Sequence, residues 1–427
     1  MSVRIFTLKN ALLLMTVALS VAAVAQTEST LYTFGETTTF WPNGTLLEDA
    51  NGNLYGTTRG GGTYGVGTVF EMSPPAKAGG AWIFTTLYSF VPYGTGGWVP
   101  ISDLVRDKAG AFYGTTFNGG NSVCSCGAVY KLVPPAVAGG AWTESQLYAF
   151  PYDSIHGRLP ANAALALTSN GTLYGVTIQG GAWNEGVIYE LQTKNGKSYT
   201  ETDLYSFGDA ADGNTPNGPI ALDSAGNLYG VTLWGGAFNQ GTVYKYTPAT
   251  SKSAAVETIL YSFGSSSTDG TNPSGNLVFD AGGDIYGVTN NGGNDLSDGT
   301  VFTLEYANKT YTESIVFTFS RSARTGTNPV AGLSWNPTNN SLYGTTTQYG
   351  ALDTGSGTVY QLLPPAVKTG TWTETTLYDF TYDVVGGYPA GIVTRDPTTG
   401  TLYGTAQNGG IEGCDLYCGT VWQIVNP

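Results

Sequence analysis

The chain has 427 residues with 61 glycines, 20 prolines, 13% aromatic and only 11% charged residues. That composition excludes a helical bundle and fits many short strands joined by tight turns. With a formal charge of −14, the protein is poorly suited to holding nucleic acid or anionic lipid non-specifically.

The first residues read as a secretory signal. Arg4 and Lys9 form a basic end, residues 11–25 are apolar, and Ala23-Val24-Ala25 is an A-x-A cleavage site before Gln26. The apolar run is shorter than the roughly 18 residues of a membrane span, and nothing after residue 26 is expected to cross a bilayer. Cleavage removes two bases and no acid, so the charge moves to −16. An exported, extracellular or periplasmic protein is expected, with residues 1–25 as signal and 26–427 as one domain.

Next comes "TESTLYTF" (27–34), a strand-like segment to which the end of the chain returns. From residue 42 onward the sequence repeats. Tyr55-Gly56 recurs as Tyr113-Gly114, Tyr174-Gly175, Tyr229-Gly230, Tyr286-Gly287, Tyr343-Gly344 and Tyr403-Gly404, at steps of 58, 61, 55, 57, 57 and 60 residues. Such a period suits one four-stranded propeller blade. Strand A is an apolar run such as "GPIALD" (218–223) or "GNLVFD" (275–280). A Gly/Asn turn leads to strand B, "NLYGVT". After a glycine loop comes strand C, "GTVYKY", and after a longer loop strand D, as in "TETTLYDF" (373–380). A proline stands just before each strand A: Pro42, Pro100, Pro160, Pro216, Pro273, Pro329 and Pro389. Proline is tolerated at a strand's first residue, which fits A as the innermost strand.

The last unit has A, B and C and then stops without a D, whereas residues 27–34 nearly copy residues 373–380. In a ring, that first strand completes the last blade and removes both open edges. The expectation is an all-β, seven-bladed β-propeller with four strands per blade, closed by the N-terminal strand. The glycine inside each strand B is expected to admit an aromatic of strand C or a neighbouring blade, such as Phe70 or Tyr244, because glycine weakens a strand unless another group must approach closely.

The pattern "NLYGTT..GG....GTVF" followed by "LYSF" resembles the GloVer-type tandem repeats of bacterial choice-of-anchor proteins, across residues 27–427. The resemblance implies an exported bacterial repeat protein with no settled activity. The ending "VWQIVNP" departs from the anchoring signals of that family and favours a released protein.

The B–C and D–A loops share one face of such a ring. The residues after the seven prolines, Asn43, Ile101, Ala161, Asn217, Ser274, Val330 and Ala390, include no titratable group, which counts against acid–base or metal-assisted catalysis at the axis. Four residues before proline stand His156, Asp212 and Asp269, the catalytic candidates if the protein is an enzyme; the aspartates read most simply as turn residues. No metal site or cofactor is expected, apart from a possible Ca²⁺ in "DAADGN" (209–214), whose spacing does not match a known calcium loop. Tyr64, Trp183 and Phe238 occupy one place in the B–C loops, with Trp98 and Trp234 on the same face. These five are the ligand-contact candidates; the competing reading has them filling gaps between blades. Trp82, Trp142 and Trp372 belong to the opposite face and read as structural. Local disulfides are expected, Cys414–Cys418 readily and Cys124–Cys126 as a strained small ring.

These features favour a monomeric binding or scaffold module for extracellular glycan or protein. The alternatives are a polysaccharide-acting hydrolase or lyase, and a structural surface or matrix protein.

Overall fold

A computed structural model describes residues 27–425, apart from 36–38, 78, 94–95, 121–122, 138, 161–163, 194–197, 209–211, 352–354, 368–369, 382–385 and 411–417. Among these residues every regular element is a strand, and the strands form seven antiparallel sheets, the blades of a propeller. Blade 1 shows the plan, with A at Thr39–Glu48, B at Leu54–Gly61, C at Thr68–Ser73 and D at Ile83–Ser89, paired in that order. Strands B and C are buried on both faces between neighbouring blades, whereas the outer strand D has exposed positions along its length.

The strand B glycine faces the strand C aromatic directly across the ladder, Gly56 opposite Phe70 and Gly230 opposite Tyr244. A Cβ on Gly56 would stand 2.6 Å from Cζ of Phe70, and one on Gly230 would stand 2.6 Å from Cζ of Tyr244. The same meeting recurs in all seven blades, with Tyr130, Tyr189, Phe302, Tyr360 and Trp422 as the other aromatics. Each of these rings is almost fully buried. The glycine is therefore a socket for a ring that cannot move. Gly230→Ala is expected to cost about 3 kcal/mol by overpacking, read as a lower denaturation midpoint, with part of it recovered when Tyr244→Leu is added.

The ring in the socket also meets the phenylalanine that ends strand D of the preceding blade. Phe207 lies edge-on to Tyr244 at 5.1 Å, Phe263 to Phe302 at 4.9 Å, and Phe319 to Tyr360 at 5.0 Å. Thus "LYG", the aromatic of "GTVY" and the final Phe of "LYSF" make a single inter-blade joint, each aromatic pair adding about 1 kcal/mol beyond its buried area.

The prolines do more than begin a strand. They stand within strand A in blades 1 and 5 and at the end of its first segment in blades 2, 3, 4 and 7. Strand A accordingly starts about five residues earlier than the sequence indicated, at Gly213 and Gly270 in blades 4 and 5. The residue before every proline has a positive φ between 54° and 62°, including β-branched Val99 and Thr215. That conformation is costly for such residues and for any residue preceding proline. It aims the backbone N–H at the preceding blade, as in Val99 to the Val66 carbonyl at 2.9 Å and Thr215 to the Glu185 carbonyl at 2.9 Å. The next residue of that loop is a glycine, Gly67 or Gly186, pressed against Cδ of Pro100 or Pro216. Each blade is clipped to the next by this proline-on-glycine contact and its hydrogen bond.

Blade 7 obeys the same rules across the chain ends. Thr27–Thr33 pairs antiparallel with Thr420–Val425 as its outermost strand. The Trp41 N–H donates to the Cys418 carbonyl at 3.2 Å, Gly419 seats Pro42, and Phe34 lies edge-on to Phe70 at 5.5 Å. The circle is closed by its first strand.

Candidate binding face and axial cavity

In an antiparallel blade whose inner strand leaves one face, the D–A and B–C loops return to that face and the A–B and C–D loops form the other. On the B–C face, Tyr64 is 54% exposed, Trp183 64%, Phe238 50% and Trp234 42%. Those values decide against gap filling, because an aromatic wedged between blades would be buried like Phe207. Trp98 differs: it is half-buried and tilted against Tyr93 at 5.0 Å. Val123 and Leu296 are also exposed, one residue further along the corresponding loops of blades 2 and 5, as are Tyr93 and Tyr152 on D–A loops. Val123 and Leu296 were missed because aliphatic residues at the loop tip do not stand out in the sequence; the preceding Gly-Gly pair is the signal that locates them. Trp82, Trp142 and Trp372 pack against Tyr403, Phe112 and Tyr286 at the other face, as expected.

Cys124 and Cys126 are bonded, with Cα atoms 5.3 Å apart, so the small ring held in doubt by the sequence does form. It fixes the loop carrying Val123. Cys418 is disulfide-bonded, and Cys414 lies outside the described residues.

Strand A lines the axis. Small residues two places after proline, Gly44, Gly218, Gly275, Ala331 and Gly391, let the inner strands approach one another closely. The remaining space toward the B–C face is a cavity of about 260 Å³. Its lining includes Asn43, Ile101, Asn217, Ser274, Val330 and Ala390, six of the seven residues predicted there; Ala161 lies outside the described residues. Arg59, Asp103, Asn290 and Gln407 join them, which corrects the expectation of an axis without charge. Strand B ends at the cavity rim, so its last residues face the axis as well as those of strand A. Arg59 was legible in one respect: its counterparts in the other copies are Phe117, Ile178, Leu233, Asn290, Thr347 and Gln407, none of them basic.

The lining is held by hydrogen bonds between blades. Asn43 Nδ2 donates to the Ile101 carbonyl at 2.6 Å, the Thr45 N–H to Asp103 Oδ1 at 2.6 Å, and Ser274 Oγ to the Val330 carbonyl at 3.0 Å. Burial pushes the Asp103 carboxyl above the usual range, against the bonds from Thr45. Burial also draws the Arg59 guanidinium below its ordinary value. Its Nε is buried with no hydrogen-bond partner, and among the described residues no acid lies within ion-pair distance. Its one neighbour of note is the Trp41 ring, 5.3 Å from Cζ.

The three catalytic candidates do not converge. His156 is on the blade 2–3 seam, where Nδ1 meets Asp153 Oδ2 at 2.8 Å. That bond raises the histidine, while bonds from the His156 and Ile155 N–H groups and from the ring hold Asp153 down at about 2. Asp212, on the next seam, accepts from Tyr205 Oη at 2.8 Å and from the Gly213 N–H at 2.6 Å. Asp269, one seam further, accepts from Tyr261 Oη at 2.9 Å and the Ser265 N–H at 2.8 Å. Each aspartate faces the strand D glutamate of the following blade, Glu257 or Glu313, whose carboxyl burial first and the aspartate second push up to about 7. Asp212 and Asp269 are buried in the seams they fasten, whereas His156 and Asp153 stay partly exposed. Among the described residues no three His, Cys, Asp or Glu side chains cluster to hold a metal ion, and residues 209–211 of the "DAADGN" loop lie outside them.

Three overlapping stretches, residues 17–162, 76–295 and 254–425, match the Gloeobacter/Verrucomicrobia repeat. No curated protein matches the chain in sequence. Similar solved structures include a protein of unknown function from Dyadobacter fermentans, 14% identical over 93% of this chain and 98% of that one, with a TM-score of 0.45. The NanB sialidase of Streptococcus pneumoniae is 12% identical over 93% and 70%, with a TM-score of 0.43. An ulvan lyase bound to a glucuronate–rhamnose-3-sulfate saccharide is 11% identical over 82% and 87%, with a TM-score of 0.50. At these identities the likeness is one of fold alone. No helix among the described residues is long and apolar enough to cross a membrane.

Proposed function

The chain belongs to the Gloeobacter/Verrucomicrobia repeat family, and on that footing we propose that it is an exported binding module whose B–C face engages an extracellular glycan. One observation carries the reading: Tyr64, Trp183, Trp234 and Phe238 stand exposed on one face of a rigid ring. Exposed flat rings with an apolar body suit stacking on sugar faces, and loops on a stiff scaffold keep them in place without a large ordering cost. The Cys124–Cys126 bond accords with an oxidising compartment. A hydrolase or lyase built on His156, Asp212 or Asp269 has less support, because the aspartates are engaged by tyrosine hydroxyls and backbone N–H groups on separate seams.

The test is affinity electrophoresis against neutral and acidic polysaccharides. The Trp183→Ala, Phe238→Ala double variant is expected to lose affinity by about tenfold or more, roughly 1.4 kcal/mol, with thermal unfolding unchanged. Retained affinity in that variant, or no retardation by any polysaccharide, would refute the proposal.

A further inference from the structure

We propose that the axial cavity is a subsite for one carboxylate-bearing sugar residue, its carboxylate held by Arg59. The inference deepens the glycan reading and rests on it. Three observations converge. The cavity is bounded by inner strands that approach one another closely, and its volume of about 260 Å³ is just under the usual range for small-molecule pockets, room for a single small residue. Among the described residues Arg59 is the one basic side chain in its lining, with a buried Nε that lacks a partner. Arg59 is part-buried, with Nε shielded from solvent. A partly desolvated cation without a counter-charge costs free energy, so its presence in an otherwise well-satisfied lining points to an anion supplied from outside.

The remaining lining suits a sugar frame more than a bare ion. Asn43, Asn217, Asn290 and Gln407 bring carboxamides to the same space. Gln407 Nε2 donates to Asn43 Oδ1 and Ser274 Oγ to Asn290 Oδ1, and the remaining N–H groups and lone pairs can meet hydroxyls. A planar guanidinium engages a carboxylate through two parallel hydrogen bonds, and the Trp41 ring lies 5.3 Å from the Arg59 Cζ as a cation–π neighbour. Among the described residues Asp103 is the only acid in the lining; bonded to the Thr45 N–H, it ties the inner strands of blades 1 and 2 together and makes no ion pair with Arg59.

The experiment is thermal unfolding of the intact protein in millimolar sodium glucuronate, glucose or sodium acetate at matched ionic strength. Wild type is expected to melt about 2 °C higher with glucuronate and to stay unmoved by glucose and acetate. Arg59→Gln should melt at or above wild type without ligand, since it removes an uncompensated charge, and should show no glucuronate shift. Asp103→Asn should keep the shift. An unshifted wild type, a shift that survives Arg59→Gln, or an Arg59→Gln chain that melts well below wild type would each overturn the assignment. An equal shift with acetate would overturn its sugar part. The face proposal fails separately: it falls if Trp183→Ala, Phe238→Ala leaves polysaccharide retardation intact, whatever glucuronate does.

Discussion

A chain beginning at residue 35 is expected to melt at least about 10 °C below one that retains residues 27–34, or not to fold cooperatively at all. The expectation follows from what the first strand does. Thr27–Thr33 is the outermost strand of blade 7, and its removal strips the partner from Thr420–Val425. Phe34, fully buried, is the inter-blade ring that bears on Phe70, so its loss alone is comparable to a Phe→Ala core truncation of about 3–5 kcal/mol. Tyr32 stacks on Phe84 of blade 1 at 4.3 Å, and that cover disappears too. The exposed strand C would be an unpaired edge and a template for other chains. The truncated protein should therefore associate on size exclusion, and a synthetic peptide of residues 27–34 should restore the monomeric elution and the melting temperature by adding the strand in trans. A truncation that melts like the full chain would contradict the closed ring.

The ring was readable because its parts are local and repeated. The gap after "GTVWQIV" and the spare "TESTLYTF" at the start are visible as letters, and closure needs only that the two be joined. The socket at Gly230 was readable for a related reason: a missing side chain at one register in seven copies demands a neighbour, and strand C supplies the nearest ring. The prolines were half legible. Their position at the inner strand follows from the lost N–H, but the left-handed residue before them, and the glycine of the previous blade that receives them, depend on how two blades meet. The axial cavity was least legible. Six of the seven residues after proline line the cavity as expected, yet Arg59 and Asp103 reach the axis only because strand B ends at the rim and strand A bends around its proline. Periodicity within one repeat carries no information about that convergence.

The same inter-blade geometry makes a prediction about pH. Six of the seven D strands carry a glutamate at one position, and in blade 1 Phe84 takes its place. Burial pushes Glu28, Glu144, Glu201, Glu257 and Glu313 from 4.5 up to about 7, and raises Glu374. In each of the first five, one carboxyl oxygen is buried without a hydrogen-bond partner. A folded-state value above the unfolded one means that folding takes up protons between pH 4.5 and 7. The stability these groups allow is complete below pH 4.5 and is lost as pH rises through 7. The A–B turns act in the opposite sense: burial works against Asp49, Asp107, Asp223 and Asp396, but hydrogen bonds to them, such as those from the Asn51 and Asn53 N–H groups to Asp49, together hold their carboxyls below 3.8. Their contribution is present above pH 3.8 and fails as pH falls below it. Stability should then peak near pH 5. Because the glutamates are only half-buried, solvent screening trims each one, and the melting temperature at pH 5 is expected to exceed that at pH 8 by on the order of 5 °C. Glu48, Asp103 and Asp203 are raised by burial too and act in the same sense. Glu144→Gln with Glu313→Gln should therefore shrink that difference only in part, by about a fifth to a quarter, mostly by raising the value at pH 8. Phe84 is the natural precedent, since an apolar ring fills the same seam and stacks there. A melting temperature that rose steadily from pH 5 to pH 8 would mean that the glutamates are ionised in the folded ring, with their partners still to be found.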